Sequence, residues 1–69
     1  MEELILKKAF ITLGQLLQVL DLADSGAQAK EMVKQTVITV NGEAENRRGR
    51  KLYARDIVEI GDRIIQIKA

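Results

Sequence analysis

The hydrophobic residues of this chain change their period at Thr36. Before Thr36 they recur at the spacing of amphipathic helices, and after it they form β-branched runs that alternate with polar residues. The helical part carries two apolar faces, which we expect to be buried: Leu13, Leu16, Leu17 and Leu20 on the first, and Ala29, Met32 and Val33 on the second. We therefore predict an α+β fold in which two packed short helices are followed by a small, mainly antiparallel sheet.

Each predicted helix begins with a capping pattern. Thr12 and Gln15 stand three residues apart at the start of the first apolar face, and Ser25 and Gln28 repeat this spacing ahead of the second. The first helix is predicted over residues 13–22. Because few residues join the two helices, we expect them to pack against each other at a steep angle.

Two hairpins are predicted in the second half of the chain. Asn41-Gly42 follows the first β-branched run, and this dipeptide favours a type I′ turn with positive φ at both residues. Gly61-Asp62 separates two further β-branched runs and predicts a second two-residue turn. Near the N-terminus, residues 4–6 indicate either a short strand or an extended segment.

Length and composition exclude most catalytic chemistry. With 69 residues the chain is short even for one domain, so we treat residues 1–69 as a single domain with a thin core. It has no cysteine and no histidine, and therefore no thiolate nucleophile, no imidazole base and no zinc-type ligand set. We expect a binding module and not an enzyme, with no cofactor and no metal. No apolar run reaches the roughly 18 residues of a membrane span and no basic signal sequence opens the chain, so we expect a cytoplasmic protein.

Positive charge is concentrated in one short segment. Five of the 11 basic residues lie within residues 46–55, where no acidic residue interrupts them: Arg47, Arg48, Arg50, Lys51 and Arg55. A polyanion site needs such clustering, because the local potential attracts phosphates more than the net charge does. The same segment, with Gly49 at its centre, also fits a solvated loop, and charge alone does not decide between the two.

Four stretches follow one another in an order and spacing that a known family shares: Ser25–Lys30, Met32-Val33, Ile38–Gly42 and Asn46–Leu52. Together they resemble the RNA-binding domain of small-subunit ribosomal protein four, the S4 domain. The first three are similar to the family's second helix and to its strand ending in Val-Asn-Gly, and the fourth is similar to small free-standing bacterial members. The resemblance covers about residues 10–62 and implies the α+β fold of that family, also called the alpha-L motif.

The resemblance implies a function as well as a fold. It implies that the chain binds structured RNA, with ribosomal RNA or a ribosomal particle as the partner and a monomer as the expected state. The expected contact residues lie in residues 47–51, which we call the basic loop, on the second helix and at the start of that helix: Arg47, Arg48, Arg50, Lys51, Lys30, Lys34, Ser25, Gly26 and Gln28. Guanidinium forks bind phosphate oxygens in pairs, and free amides at a helix N-terminus attract anions. A protein–protein adaptor that binds through an exposed sheet edge or a basic surface is the alternative.

The chain departs from the family where many members carry cations. Thr12 and Gln15 stand where those members have Arg and Lys, and Gly26 stands where they often have Arg. In this chain the basic loop and the second helix would have to bind the phosphates that such relatives bind from these positions.

Phe10 and Tyr53 are the only aromatic residues. Two rings are too few for the stacking platform of a single-strand binder. We therefore expect Phe10 in the core and an RNA recognised mainly by shape and backbone. For Tyr53, beside the basic loop, packing against the sheet is the expectation that we favour, and stacking on a base is the alternative.

Overall fold

Two helices and seven strands make up the computed structural model, which describes residues 1–69 throughout. The helices are α1 (Leu13–Val19) and α2 (Gly26–Gln35). The strands are β1 (Glu2–Ile5), β2 (Ile11–Thr12), β3 (Ile38–Val40), β4 (Glu43–Ala44), β5 (Lys51–Leu52), β6 (Ile57–Ile60) and β7 (Arg63–Lys68).

Five of the strands form one sheet in the order β1-β7-β6-β3-β4, and β2 pairs with β5 in a separate two-stranded ribbon. All pairs are antiparallel except β1 with β7, which run parallel with Glu2 opposite Ile65. The N-terminal segment is therefore a strand, and its pairing joins the two ends of the chain. The predicted α+β fold with a mainly antiparallel sheet is confirmed.

The core contains 13 buried hydrophobic residues drawn from both helices and both sheets. Leu13, Leu16 and Leu17 of α1 are completely buried, as are Ile65 and Ile67 of β7. The leucine face predicted for α1 therefore forms the centre of the core. On α2, Ala29 and Val33 are buried and Met32 packs against the core from its edge.

Leu20 differs from the prediction because α1 is shorter than residues 13–22. The helix ends at Val19, and Asp21 adopts a positive φ of 59°. The amide of Leu22 donates to the Leu17 carbonyl at 2.9 Å and that of Asp21 donates to the Gln18 carbonyl at 3.1 Å. This is the hydrogen-bond pattern of a Schellman cap, in which the left-handed residue turns the chain off the helix axis. Leu20 lies in this turn and is only partly buried.

The helix starts follow the predicted caps with one difference. At α1 the Gln15 amide donates to Thr12 Oγ1 at 3.2 Å and the Thr12 amide donates to Gln15 Oε1 at 2.9 Å, which is a complete capping box. At α2 the Gln28 amide donates to Ser25 Oγ at 3.2 Å, but Gln28 Oε1 accepts from the Asp24 amide, at 2.6 Å. The second cap is therefore not a reciprocal box, because the glutamine reaches one residue further back.

The Asn41-Gly42 turn has the predicted geometry. Asn41 has φ 53° and Gly42 has φ 84°, as a type I′ turn requires, and β3 and β4 pair on either side of it. The Asn41 side chain also clamps the start of β6: its Nδ2 donates to Asp56 Oδ1 at 3.0 Å and its Oδ1 accepts from the Ile57 amide at 2.9 Å. The second predicted hairpin is present too, with Ile60 opposite Arg63 across the two-residue turn.

Candidate nucleic-acid interface

The basic loop is docked on the N-terminus of α1. The Leu13 amide donates to the Arg50 carbonyl and the Gly14 amide donates to the Arg48 carbonyl, both at 2.8 Å. The two carbonyls therefore satisfy two of the amides that a helix N-terminus leaves without intrahelical partners. A side chain at Gly14 would start 3.2 Å from the Arg48 carbonyl oxygen, so glycine allows this close approach. The loop is exposed as predicted, but its backbone is held in place.

One buried carboxylate, that of Glu45, organises two of the arginines. Glu45 is 8% exposed. Its Oε2 accepts from Arg47 Nε at 3.0 Å and its Oε1 accepts from Arg50 Nη1 at 2.8 Å. The Asn46 and Arg47 amides also donate to Oε2, each at 3.1 Å. The two guanidiniums are therefore held in place by hydrogen bonds. Because they share one carboxylate, the group of three side chains keeps a net positive charge of one.

The same contacts explain the acidity of Glu45. Hydrogen bonds from the Arg47 side chain lower the pKa of this carboxyl to about 2, against the opposing effect of burial, and Arg50 and the Arg47 amide lower it further. The reciprocal interaction raises the pKa of Arg47. At neutral pH the carboxylate and both guanidiniums are therefore charged.

Arg48 joins the loop to the first turn of α2. Its Nη1 donates to the Gly26 carbonyl at 2.9 Å, and a side chain on Gly26 would meet that nitrogen at 3.3 Å. The chain therefore supplies a guanidinium beside the start of α2 from the loop. The amides of Gly26 and Ala27 have no partner within the chain.

Two lysines continue this positive surface along α2. Gly26, Lys30 and Lys34 are four residues apart, so they form a row on one side of the helix that spans about 12 Å. Both lysines are exposed, and neither forms a salt bridge. Ser25 and Gln28 stand at the same helix end, where their side-chain oxygens accept the cap hydrogen bonds. A role of these two residues in RNA contact stays a prediction.

The cations of the large sheet are paired with acids, in contrast to those of α2. Arg63 of β7 forms a salt bridge with Glu2 at 2.5 Å, and Lys68 of β7 forms one with Glu3 at 2.6 Å. The charge of this part of the sheet is therefore balanced locally. Exposed cations without a salt bridge include Lys30 and Lys34 of α2 and Arg48 and Lys51 of the loop. Lys7, Lys8 and Arg55 are the others.

Phe10 is not in the core, contrary to the prediction. It is 38% exposed, and Tyr53 is 50% exposed. The β2–β5 ribbon pairs Ile11 with Leu52, whose side chains face the core, so the residues on either side of them face outward. The rings of Phe10 and Tyr53 consequently meet on the surface, with centroids 6.0 Å apart.

Three residues that shape this surface do not stand out in the sequence. Glu45 resembles any other acid, although its position two residues before an arginine run is a usable signal for an ion pair. Gly14 is not recognisable as a contact residue in the sequence, because its contact with the loop backbone depends on tertiary packing. Asp56 has no sequence signal of its own: its Oδ2 accepts from the Tyr53 amide at 2.8 Å, and its Oδ1 accepts from Asn41.

Neither a metal centre nor a membrane span is found. No group of three or more His, Cys, Asp and Glu side chains is arranged to hold a metal ion. Neither helix combines the length and the apolar composition needed to cross a bilayer.

Two helices that pack on a small sheet and carry an arginine loop at their N-termini are the arrangement implied by the resemblance to the S4 domain. The family profile described as S4 domain matches residues 4–68, so the chain belongs to the S4 domain family. The chain is also similar to "Probable ribosome maturation protein RlbA" of Bacillus subtilis (strain 168). The two are 52% identical over 50 residues, which cover 72% of this chain and 70% of the relative. The family match extends beyond the predicted residues 10–62 and includes the second half of β1.

Proposed function

We propose that this protein binds structured RNA through its basic loop and α2, and that the RNA is ribosomal RNA, free or within a ribosomal particle. We call this surface the basic band: Lys30, Lys34, Arg47, Arg48, Arg50 and Lys51. The protein acts as a cytoplasmic monomer, by binding and not by catalysis. The ribosome maturation role in the name of the Bacillus subtilis relative favours a ribosomal target.

The observation that carries this proposal is the uneven pairing of charges. Cations of β7 are neutralised by Glu2 and Glu3, whereas Lys30, Lys34 and Lys51 form no salt bridge. Exposed cations without acidic partners raise the local potential, which attracts a polyanion and releases its counterions on binding.

The fixed geometry of the loop also supports binding. Glu45 holds the Arg47 and Arg50 side chains, and two backbone hydrogen bonds hold the loop on α1. Side chains that are already ordered lose less conformational entropy when they bind, so the same contacts give a higher affinity. A guanidinium that is bonded on one edge to a carboxylate retains other N–H groups for phosphate oxygens.

The adaptor alternative finds less support in the sheet edges. The edge strands of the large sheet are β1 and β4, and β4 has only two residues, as do both strands of the ribbon. β1 begins with Glu2 and Glu3, and charged residues on a short edge discourage strand addition. RNA binding is therefore the function that we favour.

The test is a salt titration of RNA binding with two charge-matched double variants. Lys30→Gln with Lys34→Gln removes two unpaired cations of the basic band, and Arg63→Gln with Lys68→Gln removes two paired cations of β7. For the parent we expect the logarithm of affinity for ribosomal RNA fragments to fall with the logarithm of salt concentration at a slope of about −3 to −5. The α2 variant should flatten this slope by about 1.5, and the β7 variant should leave it nearly unchanged.

Fluorescence anisotropy gives the affinities, and circular dichroism confirms that each variant is folded. If both variants change the slope equally, net charge alone governs binding, and the proposal that the basic band is the RNA-binding surface is wrong. Arg48→Ala and Arg50→Ala are weaker tests, because each also removes a contact within the protein. Arg48 donates to the Gly26 carbonyl and Arg50 donates to the buried Glu45 carboxylate.

A further inference from the structure

We propose that Tyr53 and the adjoining part of the loop form a binding site for one unstacked nucleobase of the RNA, together with its neighbouring phosphate. This inference rests on the proposed function and names the partner more closely: an RNA with an unpaired nucleotide next to its paired region. It also reverses the sequence-based preference for Tyr53, which favoured packing against the sheet over stacking on a base.

The ribbon of β2 and β5 presents the site. Ile11 lies opposite Leu52 and Thr12 lies opposite Lys51. Leu52 is completely buried, and side chains alternate between the two faces of a strand. Lys51 and Tyr53 therefore point away from the core. This explains why a hydrophobic ring is left on the surface of a chain that has only two aromatic residues.

The two rings differ in how much of their surface is free to contact a ligand. They meet at an interplanar angle of 51°, so they are tilted and not stacked on each other. Lys51 Nζ lies 5.0 Å from the Phe10 ring centroid, within the range of a cation–π contact. Phe10 is thus partly covered by an ammonium group, whereas Tyr53 is 50% exposed. Tyr53 is the ring on which one base can stack, with Phe10 supporting it from the side.

A shallow cavity next to Tyr53 supplies the groups that a nucleotide needs. Its volume is about 490 Å³, and its lining residues are Arg47, Gly49, Arg50, Lys51 and Tyr53. The lining contains an aromatic ring and three cations but no acid. Glu45 accepts hydrogen bonds from both arginines but does not itself line the cavity.

This chemistry selects the occupant. A base provides a π face for Tyr53, and its phosphate provides oxygens for the guanidiniums. The three cations of the lining complement a polyanion and offer nothing to a purely apolar peptide. Because only one ring is free, the site takes a single nucleotide, as at a bulge or a loop where bases are already unstacked.

The protein carries its own reporter for this site. Tyr53 is the only tyrosine and there is no tryptophan, so intrinsic fluorescence comes from the proposed contact residue. The probes are two RNA hairpins that are identical except at one bulged position, which holds either an adenosine or an abasic ribose. We expect the adenosine bulge to quench Tyr53 fluorescence and to bind about 5- to 160-fold more tightly than the abasic hairpin, the range that one stacked base gives.

Two substitutions separate stacking from a structural role. Tyr53→Phe retains a ring and should keep the preference for the adenosine bulge, as measured by anisotropy with labelled RNA. Tyr53→Leu should bind both hairpins with the parent's affinity for the abasic one, and it should remain folded by circular dichroism. As a second readout, ultraviolet crosslinking of the parent to the adenosine hairpin should attach RNA to the tryptic peptide 52–55.

The outcomes distinguish this inference from the proposed function. Equal, salt-dependent binding of both hairpins without quenching overturns the base site and leaves the basic band intact. Failure of both hairpins and of ribosomal RNA fragments to bind at low salt overturns both proposals. If Tyr53→Leu keeps full RNA preference but loses a co-purifying protein, the ribbon is a protein contact and the base site is wrong.

Discussion

Glu45 shows how one residue can determine the shape of a whole binding surface. A buried carboxylate is costly unless it is paired and hydrogen-bonded, and this one accepts from two guanidiniums and two backbone amides. In return it holds Arg47 and Arg50 at fixed positions on the loop. An acid in the middle of a basic surface thus orders cations at the cost of one positive charge.

Glu45 also predicts a particular pH dependence of stability. Its folded-state pKa of about 2 lies below its ordinary value of 4.5, so its contribution is present above pH 4.5 and is lost as the pH falls towards 2. Glu45→Gln should lower the melting temperature at pH 7, and the difference from the parent should shrink between about pH 4.5 and 2. The lowered pKa of Glu2 affects both proteins alike and cancels in this difference. A difference that stays constant across this range would contradict the assignment.

Arg55 is held in a conformation that suits glycine. Its φ is 81°, and its amide donates to the Ile67 carbonyl at 2.8 Å, which keeps the turn in place. A left-handed residue with a Cβ costs about 1–2 kcal/mol, part of which glycine gives back through its freer unfolded state. We expect Arg55→Gly to raise the free energy of unfolding in urea by about 0.5 kcal/mol. Arg55→Ala is the control for the lost charge, and it should not raise the free energy of unfolding. If the glycine variant is less stable than the alanine variant, the backbone at residue 55 is not strained by a side chain.

At the scale of elements, the Asn41-Gly42 turn fixes the register of the central hairpin. Gly42 has φ 84° with open space around its Cα, so a side chain there is disfavoured by backbone strain and not by contacts. We expect Gly42→Val to lower the free energy of unfolding by about 1–3 kcal/mol, since a β-branched residue is especially poor at positive φ. Gly49→Val is the matched control: its Cβ would also meet open space, but Gly49 has no positive φ. If both variants melt alike, backbone conformation is not what requires glycine at position 42.

The sequence predicted those elements whose cause is local. The Thr12 cap and the Asn41-Gly42 turn depend on residues at most four apart, and both are confirmed. The parallel pairing of Glu2 with Ile65 depends on tertiary packing, and no local pattern encodes it. The end of α1 was missed because Asp21 adopts a positive φ, which an L-residue seldom does.

The candidate site was predictable to a similar degree. The clustering of basic residues indicated the position of the loop, but its rigidity follows from the docking of the Arg48 and Arg50 carbonyls on α1. The exposure of Phe10 was missed because it depends on the pairing of β2 with β5, which are two residues long and lie far apart in sequence. Residue types therefore indicated the chemistry, whereas tertiary contacts determined the geometry.

At the scale of the whole molecule, the two ends of the chain complete the sheet together. β1 lies on the outside of β7, and the side chains of β7 that face inward, Ile65 and Ile67, belong to the core. Glu2 and Glu3 place charged side chains on this edge, and each forms a salt bridge with a cation of β7. The strand therefore has two roles that can be separated: it covers the hydrogen-bonding edge of β7, and it keeps the outer edge of the sheet charged.

Removal of β1 should consequently do more than lower stability. A chain that lacks residues 1–5 exposes the unpaired backbone of β7, a six-residue strand rich in isoleucine, and such an edge pairs with other chains. We expect the truncated chain to melt at a lower temperature and to associate as its concentration rises, as measured by thermal melts and by light scattering after size exclusion.

Glu2→Gln with Glu3→Gln is the control, because it removes the charges and salt bridges but keeps the backbone pairing. Exposed salt bridges contribute only about 0–1 kcal/mol each, so this variant should melt near the parent and stay unassociated. If the truncated chain melts with the parent and does not associate, β1 is not needed to cover β7. If the double glutamine variant associates as strongly as the truncation, the charges and not the backbone pairing protect the edge.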